Sequence, residues 1–429
     1  MENTTIITVL PIGEFDTELI RSEFEAMIAA VTHPGVGFVI ADPVSDEEGA
    51  RKSGEKLSES NPDLFLIIPL RGLSAPVIET AAQTNHAPCL IWPVHGIFAL
   101  PSSALAVGAL REAGLIVELV YAPPNNPEII EAIQSILKTA YTIKQIRQAR
   151  IGVIGKLFPN LISCRYDPQT ISSRLGTTIV PLSFDEINDS IQGFSGPTDE
   201  IEMTHLEITN SYSVNPADVK VLDAGIKLHL ALKQIAQQHE LDGFATECWS
   251  GFPGKLGLNP CLGFIEDAYT LACEVDVMLC ISLLIVRYLT GSSAYVGDLY
   301  DLDLDGILTL VHCGAPASLA SDKKGVRLVK SQLAYERGFE TMTVRPPLTP
   351  GLVTIFRFYG RVCDKMHLTL GELSGCDLSS NQTVRIRLSG NRSDFLRECL
   401  GNHYIVVAGD IRKELILLSK WLGITIFNT

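Results

Sequence analysis

Positive charge is in short supply in this sequence. Its 429 residues carry 34 Lys and Arg against 49 Asp and Glu, a formal net charge of −15. A nucleic-acid footprint needs clustered Lys and Arg, so that class of partner is excluded, and an anionic membrane surface with it. A small anionic ligand stays open, because a few local arginines suffice to hold one. Long apolar runs are lacking as well. The longest, "VDVMLCISLLIVRYLTG", carries Asp276 and Arg287 and falls short of the roughly 20 residues a membrane span needs. The stretch "MENTTIITVLPIGEFD" has an acid at position 2 and no basic segment ahead of an apolar one, so a first β-strand is expected there rather than a secretory signal.

The recognisable catalytic signatures are missing too. There is no GxxxxGK[ST], no GxGxxG after a strand, no GxSxG elbow and no HExxH helix. Ten cysteines (89, 164, 248, 261, 273, 280, 313, 363, 376, 399) form no CxxC pair and show no zinc spacing, and several sit inside apolar segments. Scattered thiols in such a chain fit a reducing compartment, which predicts a cytoplasmic protein. Nothing singles out one thiol as a nucleophile.

What is present is ample core. Hydrophobic residues make up 46% and charged residues 19%, which excludes global disorder, and the length allows two or three domains. Residues 1–150 alternate short apolar runs ("TIITVLP", "GFVIAD", "LFLIIP", "APCLIWP", "LIVELVY") with segments of helical spacing such as "TELIRSEFEAMIAAVTH". Strand–helix–strand order with apolar strands predicts a parallel sheet covered on both faces. "PEIIEAIQSILKTAYTIKQIRQAR" is an amphipathic helix closing that unit, and "IGVIG" starts a second one over 151–291, with a helix over 216–240 and a strand over 242–248. From 292 to 429 short β runs are punctuated by Gly, Pro and Asp-Gly turns, before a last helix, "DIRKELILLSKWLG". The predicted fold is α/β: two consecutive Rossmann-like or flavodoxin-like domains and a β-rich, barrel-like C-terminal domain.

Two carboxylates, Glu274 and Asp276, stand where the second unit's last strand meets the apolar helix ending near Thr290-Gly291. Extended, they share one face with Cα atoms roughly 6.6 Å apart, and a cation between them relieves their repulsion. An N-cap plus a favourable helix-start charge explains the same residues. The spacing leaves both readings open. Among nine histidines, His229 and His239 fall on a helix and His33, His86 and His95 in loops. His312 ends the strand "ILTLVH" and His403 begins the strand "HYIVVA", and element ends are where sites assemble.

In order, "GLNPCLGFIEDAYTLACEVDVMLCISLLIVRYLTG", "VHCGAPASLA" and "NHYIVVAGDIRKELILLSKWLGI" resemble the L-fucose/L-arabinose isomerase-like superfamily, nearest its shorter fucose isomerase-like members. The resemblance is strongest over 243–429. It implies an aldose–ketose isomerase using Mn²⁺ or another divalent cation, with a proton moved between C1 and C2 through a cis-enediolate, on a small-molecule sugar. A Lewis acid stabilises such a charge and hard oxygens with one imidazole suit Mn²⁺. It implies Glu274, Asp276 and His403 as metal ligands, with Glu274 and Asp276 also in acid–base roles, and a homo-oligomer, trimer or hexamer, with sites near subunit boundaries. His312, Trp249, Arg165 and Asn402 are the candidate sugar contacts. A modified or anionic hexose, such as a sulfonated sugar, would be read by Arg165, Lys255 or a C-terminal arginine.

The chain departs from that family at one place. A glutamate is usual nine residues before the proline of "GLNPC"; here that position is Gly251, in "ECWSGF". Glu247 lies four residues earlier, up to about 13 Å away if extended, and replaces the missing acid only if the Ser250-Gly251 turn folds it back. Otherwise the expectation is a non-catalytic sugar-binding or regulatory relative. A metal-assisted epimerisation is the third reading.

Overall fold

The computed structural model describes residues 5–32, 35–96, 98–194, 199–215, 219–330 and 341–429. His33 and the first three residues of the helix expected at 216–240 lie outside them. The chain forms two compact units, Met1–Lys144 and Gln145–Thr429.

In the first unit, β1 (Thr5–Ile12), β2 (Val36–Ile40), β3 (Leu64–Pro69), β4 (Cys89–Ile91) and β5 (Val117–Leu119) make one sheet in the order β2-β1-β3-β4-β5, every pairing parallel. That is the flavodoxin-like order. The central strand β3, "LFLIIP", is buried at every position. Helices cover such a strand on both faces, which is why it reads as a continuous apolar run rather than an alternating one.

The second unit opens with another parallel sheet. Its strands are β6 (Arg150–Ile154), β7 (Thr178–Leu182), β9 (Gly243–Thr246) and β10 (Thr270–Cys273), in the order β10-β9-β6-β7; a two-residue β8 (Ser213–Val214) lies outside it. The helix Val277–Thr290 follows β10 and is buried at eleven of its fourteen positions. An apolar surface all round marks a core helix, which accounts for the longest apolar run. No helix among the described residues is long and apolar enough to cross a membrane.

An antiparallel barrel comes next. β11 (Tyr295–Leu302), β12 (Ile307–His312), β15 (Gly351–Tyr359), β16 (Lys365–Asp377), β17 (Gln382–Leu388) and β18 (His403–Ala408) pair in the cycle β15-β18-β11-β12-β17-β16, and a β15–β16 ladder closes it. Side chains fill so small a barrel: Tyr295, Leu308, Leu310, Ile355, Val384, Ile386 and Tyr404 are all buried there. The fold class is therefore the expected one, two parallel-sheet α/β domains and a C-terminal barrel.

Two details differ from the sequence reading. β13 (Arg327–Lys330) and β14 (Met342–Arg345) leave the barrel and pair antiparallel with each other, β13 also running parallel to β8, and Val326, Leu328, Met342 and Val344 bury into the core of the second parallel-sheet domain. And the helix Arg412–Leu422 is followed by β19 (Thr425–Asn428), which runs parallel to β16. Four residues are too few for a periodic signal, so neighbouring strands decide such a segment.

Candidate active site and metal centre

The candidate site lies wholly in the second unit, at the carboxyl ends of β6, β9 and β10, where open parallel sheets bind ligands. The extended geometry expected across Glu274–Asp276 is not what forms. β10 stops at Cys273, and Glu274 (φ +62°) and Val275 (φ +57°) are both left-handed. That conformation costs non-glycine residues of order 1–3 kcal/mol each, and most of all a β-branched one. Backbone bonds hold it: the Val275 N–H donates to the Thr246 carbonyl at 3.0 Å and the Asp276 N–H to the Cys273 carbonyl at 3.1 Å. The turn sends the Val275 side chain into the core and leaves Glu274 partly exposed.

Asp276 is the helix cap that its sequence position allowed, and its two oxygens have different partners. Oδ1 caps the helix Val277–Thr290, accepting the Leu279 N–H at 3.0 Å. Oδ2 lies 2.9 Å from His403 Nδ1 and 3.1 Å from Arg357 Nη2, and accepts from the Cys164 thiol at 3.1 Å. Arg357, on β15, also donates through Nη1 to the His403 carbonyl at 2.8 Å. Burial works to raise the Asp276 carboxyl, but the Arg357 guanidinium and His403 outweigh it and hold it well below the usual carboxylate range. For His403 burial works to lower the imidazole, and the neighbouring Asp276 carboxylate, with Cys164 and Glu274 close by, carries it well above the usual value.

His403 is 1% exposed, and its Nε2 has no hydrogen-bond partner. Glu274 Oε2 lies 3.3 Å from that nitrogen and Asp298 Oδ1 3.5 Å. These carboxylates are 25% and 44% exposed, so solvent reaches the groups facing Nε2 although the nitrogen itself is buried, while the Asp276 side is sealed. Two groupings thus bear on a metal. Cys164, Asp276 and His403 form a buried group whose ligand atoms lie within 4.8 Å of one another, close enough for an ion. At its centre, however, Oδ2 already meets three donors, one of them a guanidinium. On the other edge, an unbonded imidazole nitrogen and two carboxylates are hard donors of the kind a divalent ion takes, but the three ligand atoms do not all lie within 4.8 Å of one another. Asp276 at Nδ1 is the partner that orients such a ligand histidine. Asp298 was absent from the sequence expectations. It lies mid-strand among "DLYDLDLDG", and only the β11–β18 register, which puts it opposite His403, picks it out.

The Gly251 question has a geometric answer. Glu247 follows β9, and its carboxylate accepts the Lys156 N–H at 2.7 Å through Oε2 and the Ser250 hydroxyl at 2.7 Å through Oε1. A Cβ at residue 251 would lie 2.5 Å from the Phe184 ring and 2.7 Å from Glu247 Oε2. At Gly155 (φ +88°) an added Cβ would collide with the same carboxylate. The chain does fold back at Ser250-Gly251, and Glu247 occupies the space where a side chain at 251 would begin. Two glycines make room for it.

No protein-family model matches the chain. Curated relatives do. The chain is similar to sulfoquinovose isomerases. It is 27% identical over 326 residues to the sulfoquinovose isomerase of Priestia megaterium, covering 71% of this chain and 70% of that protein. To the sulfoquinovose isomerase of Alkalicoccus urumqiensis it is 23% identical over 390 residues, 86% of each, and to that of Clostridium sp. (strain MSTE9) 23% over 464 residues, 97% of each. Among solved structures, a conserved domain protein from Vibrio cholerae O1 biovar eltor covers 57% of this chain and 74% of its own at 14% identity, with a TM-score of 0.21, too low to bear on the fold.

The other residues expected to touch sugar fall in different places. Asn402 is in the site, its Nδ2 donating to Asp298 Oδ1 at 2.8 Å. Trp249 is partly buried, two residues past Glu247. Arg165 is exposed and directly follows Cys164, while Lys255 is exposed near the end of the short helix Gly251–Leu256. His312 lines a neighbouring cavity with Phe264, Tyr269, Cys273 and Arg287, and lies 2.7 Å through Nδ1 from the Gly314 carbonyl.

Proposed function

We propose that this protein is an aldose–ketose isomerase of a sulfonated hexose. In this reading Glu274, Asp298 and His403 Nε2 hold a divalent cation, Mn²⁺ being the first candidate, and Glu247 moves the substrate proton. The observation carrying it is the orphaned His403 Nε2 between two partly exposed carboxylates, with Asp276 clasping the other ring nitrogen. The likeness to sulfoquinovose isomerases supports the reaction and the sulfonated substrate. A bound divalent ion would polarise the oxygens at C1 and C2 of the sugar.

The protein's own groups do the rest. Asp276 fixes the ring orientation of His403, and Nε2 would give up its proton on binding a cation. Arg357 balances the buried charge of Asp276. Glu247, pinned by Lys156 N–H and Ser250, takes the C2 proton and returns it to C1. Arg165, exposed beside Cys164, is the candidate reader of the sulfonate, with Trp249 and Asn402 against the sugar. The carboxylate of Glu247 at Gly251 speaks against a non-catalytic relative. Membership of the fucose/arabinose isomerase-like superfamily, a cytoplasmic location and assembly as a homotrimer or hexamer belong to the same proposal; light scattering on the purified protein reads the last.

The test is proton exchange. Chelator-stripped protein is given sulfoquinovose in D₂O with and without Mn²⁺, followed by NMR. Ketose, with deuterium at its C1 and at C2 of the recovered aldose, is expected only with the ion. A metal-loaded protein that forms neither overturns the proposal.

A further inference from the structure

Four cysteines scattered through the sequence meet beside the candidate site. Cys248 follows Glu247, Cys273 precedes Glu274, Cys261 lies in the turn Pro260–Ile265, and Cys313 follows β12. Their thiols interact: Cys273 with Cys248 and Cys313, and Cys313 with Cys261. Cys261 Sγ and Cys313 Sγ are 3.9 Å apart.

The two loops carrying them are tied to the same short stretch. The Asn259 N–H donates to Thr341 Oγ1, which donates back to the Asn259 carbonyl, at 3.2 and 3.3 Å. Thr343 Oγ1 and Arg345 Nε donate to the Cys313 carbonyl at 3.2 and 3.1 Å. Arg345 is 2% exposed, and its Nη2 has no partner. A buried guanidinium with a spare donor sits beside this thiol cluster, and it interacts electrostatically with both Cys313 and Cys261. His312 Nδ1 is 3.9 Å from Cys313 Sγ.

The two thiols differ. Cys313 is partly exposed and Cys261 is buried. Hydrogen bonds from Cys261 and Cys273, with His312 adding its charge, hold the Cys313 thiol well below its ordinary value, whereas Cys261, donating to Cys313 and buried, is raised well above. Burial opposes charge on His312, yet the Cys313 thiolate outweighs it and pushes the imidazole up to about 10. An accessible thiolate with a buried thiol poised next to it is the arrangement of a redox-sensing pair.

We propose that Cys313 and Cys261 are a peroxide-responsive dithiol that closes to a reversible disulfide. The Cys313 thiolate attacks hydrogen peroxide, forming Cys313 sulfenic acid and releasing hydroxide, which takes up a proton. Cys261 sulfur then attacks the Cys313 sulfur, the S–O bond breaks, and the Cys261 proton leaves with hydroxide as water. The sum is two thiols and one peroxide to one disulfide and two waters. Closing the gap from 3.9 Å to a bond of about 2.05 Å takes an approach of roughly 2 Å by side-chain rotation.

The experiment needs only the native reduced chain. After brief hydrogen peroxide treatment, free thiols are alkylated and peptides mapped by mass spectrometry. A linked pair joining Cys261 and Cys313 is expected, with a mass lower by two hydrogens and full reversal by dithiothreitol. Cys313 should react at least about tenfold faster than the other partly exposed thiols, Cys376 and Cys399. Cys261→Ser should trap a dimedone-reactive sulfenic acid at Cys313. Cys261 and Cys313 both remaining alkylatable, or oxidation starting at Cys376 or Cys399, overturns the proposal.

Discussion

Asp276 and Arg357 form an ion pair 2% exposed on the arginine side and fully buried on the acid side, at 3.1 Å. Asp276→Asn keeps an oxygen to cap the helix at Leu279 but removes the charge that balances Arg357. A buried ion stripped of its partner costs about 3–5 kcal/mol. Arg357→Met should cost less, roughly 3 kcal/mol, because Asp276 keeps His403. In the double variant no buried charge is orphaned, so the loss should fall short of the sum by about 2–3 kcal/mol. Urea unfolding followed by the fluorescence of Trp249 and Trp421, both in the second unit, reads the relevant transition. Single-variant costs that simply add, to within about 0.5 kcal/mol, refute the reading that the two side chains stand or fall together.

Three further outcomes are expected. Glu247→Gln keeps the hydrogen bonds to Lys156 and Ser250, so the unfolding midpoint should hold while turnover of sulfoquinovose falls at least about 100-fold; unchanged turnover removes Glu247 from the chemistry. Gly251→Ala drives a methyl into Phe184 and the Glu247 carboxylate, and should cost about 1–3 kcal/mol together with most of the activity; a calorimetric scan and a ketose assay check both. The hydrogen bond from His229, with help from Lys233, lowers Glu266 to about 2, against burial. Because the folded value is depressed, its stabilisation is present above the unfolded value near 4.3 and disappears as pH falls through about 2. With Glu266 43% exposed the difference from Glu266→Gln should be no more than about 1 kcal/mol at pH 6 and vanish by pH 2 in acid denaturation.

Much of the fold was legible because apolar runs bounded by turn residues are a local property. The helix after "ACEVD" and its stop at Gly291, and the strand ends at His312 and His403, follow from patterns within a dozen residues. β13, β14 and β19 were not legible in place, since their partners lie far along the chain. In the site, Glu274, Asp276 and His403 stood out by position at element ends, and the structure brings all three together. Asp298 did not, because only strand register sets it opposite His403. Arg357 looked like one more residue of a strand until the barrel folded it onto Asp276.

By itself the sequence determined the class: enough apolar periodicity for two covered parallel sheets and a barrel, and acids and a histidine at element ends. Only the tertiary structure decided how these residues are used. Two consecutive left-handed residues turn Glu274 away from Asp276, so that one acid faces solvent and the other is sealed against Arg357. A carboxylate's role depends on what faces each of its oxygens, and those partners come from strands more than 80 residues away. The same holds for Gly251, an apparent gap in the sequence that in space is the room Glu247 requires.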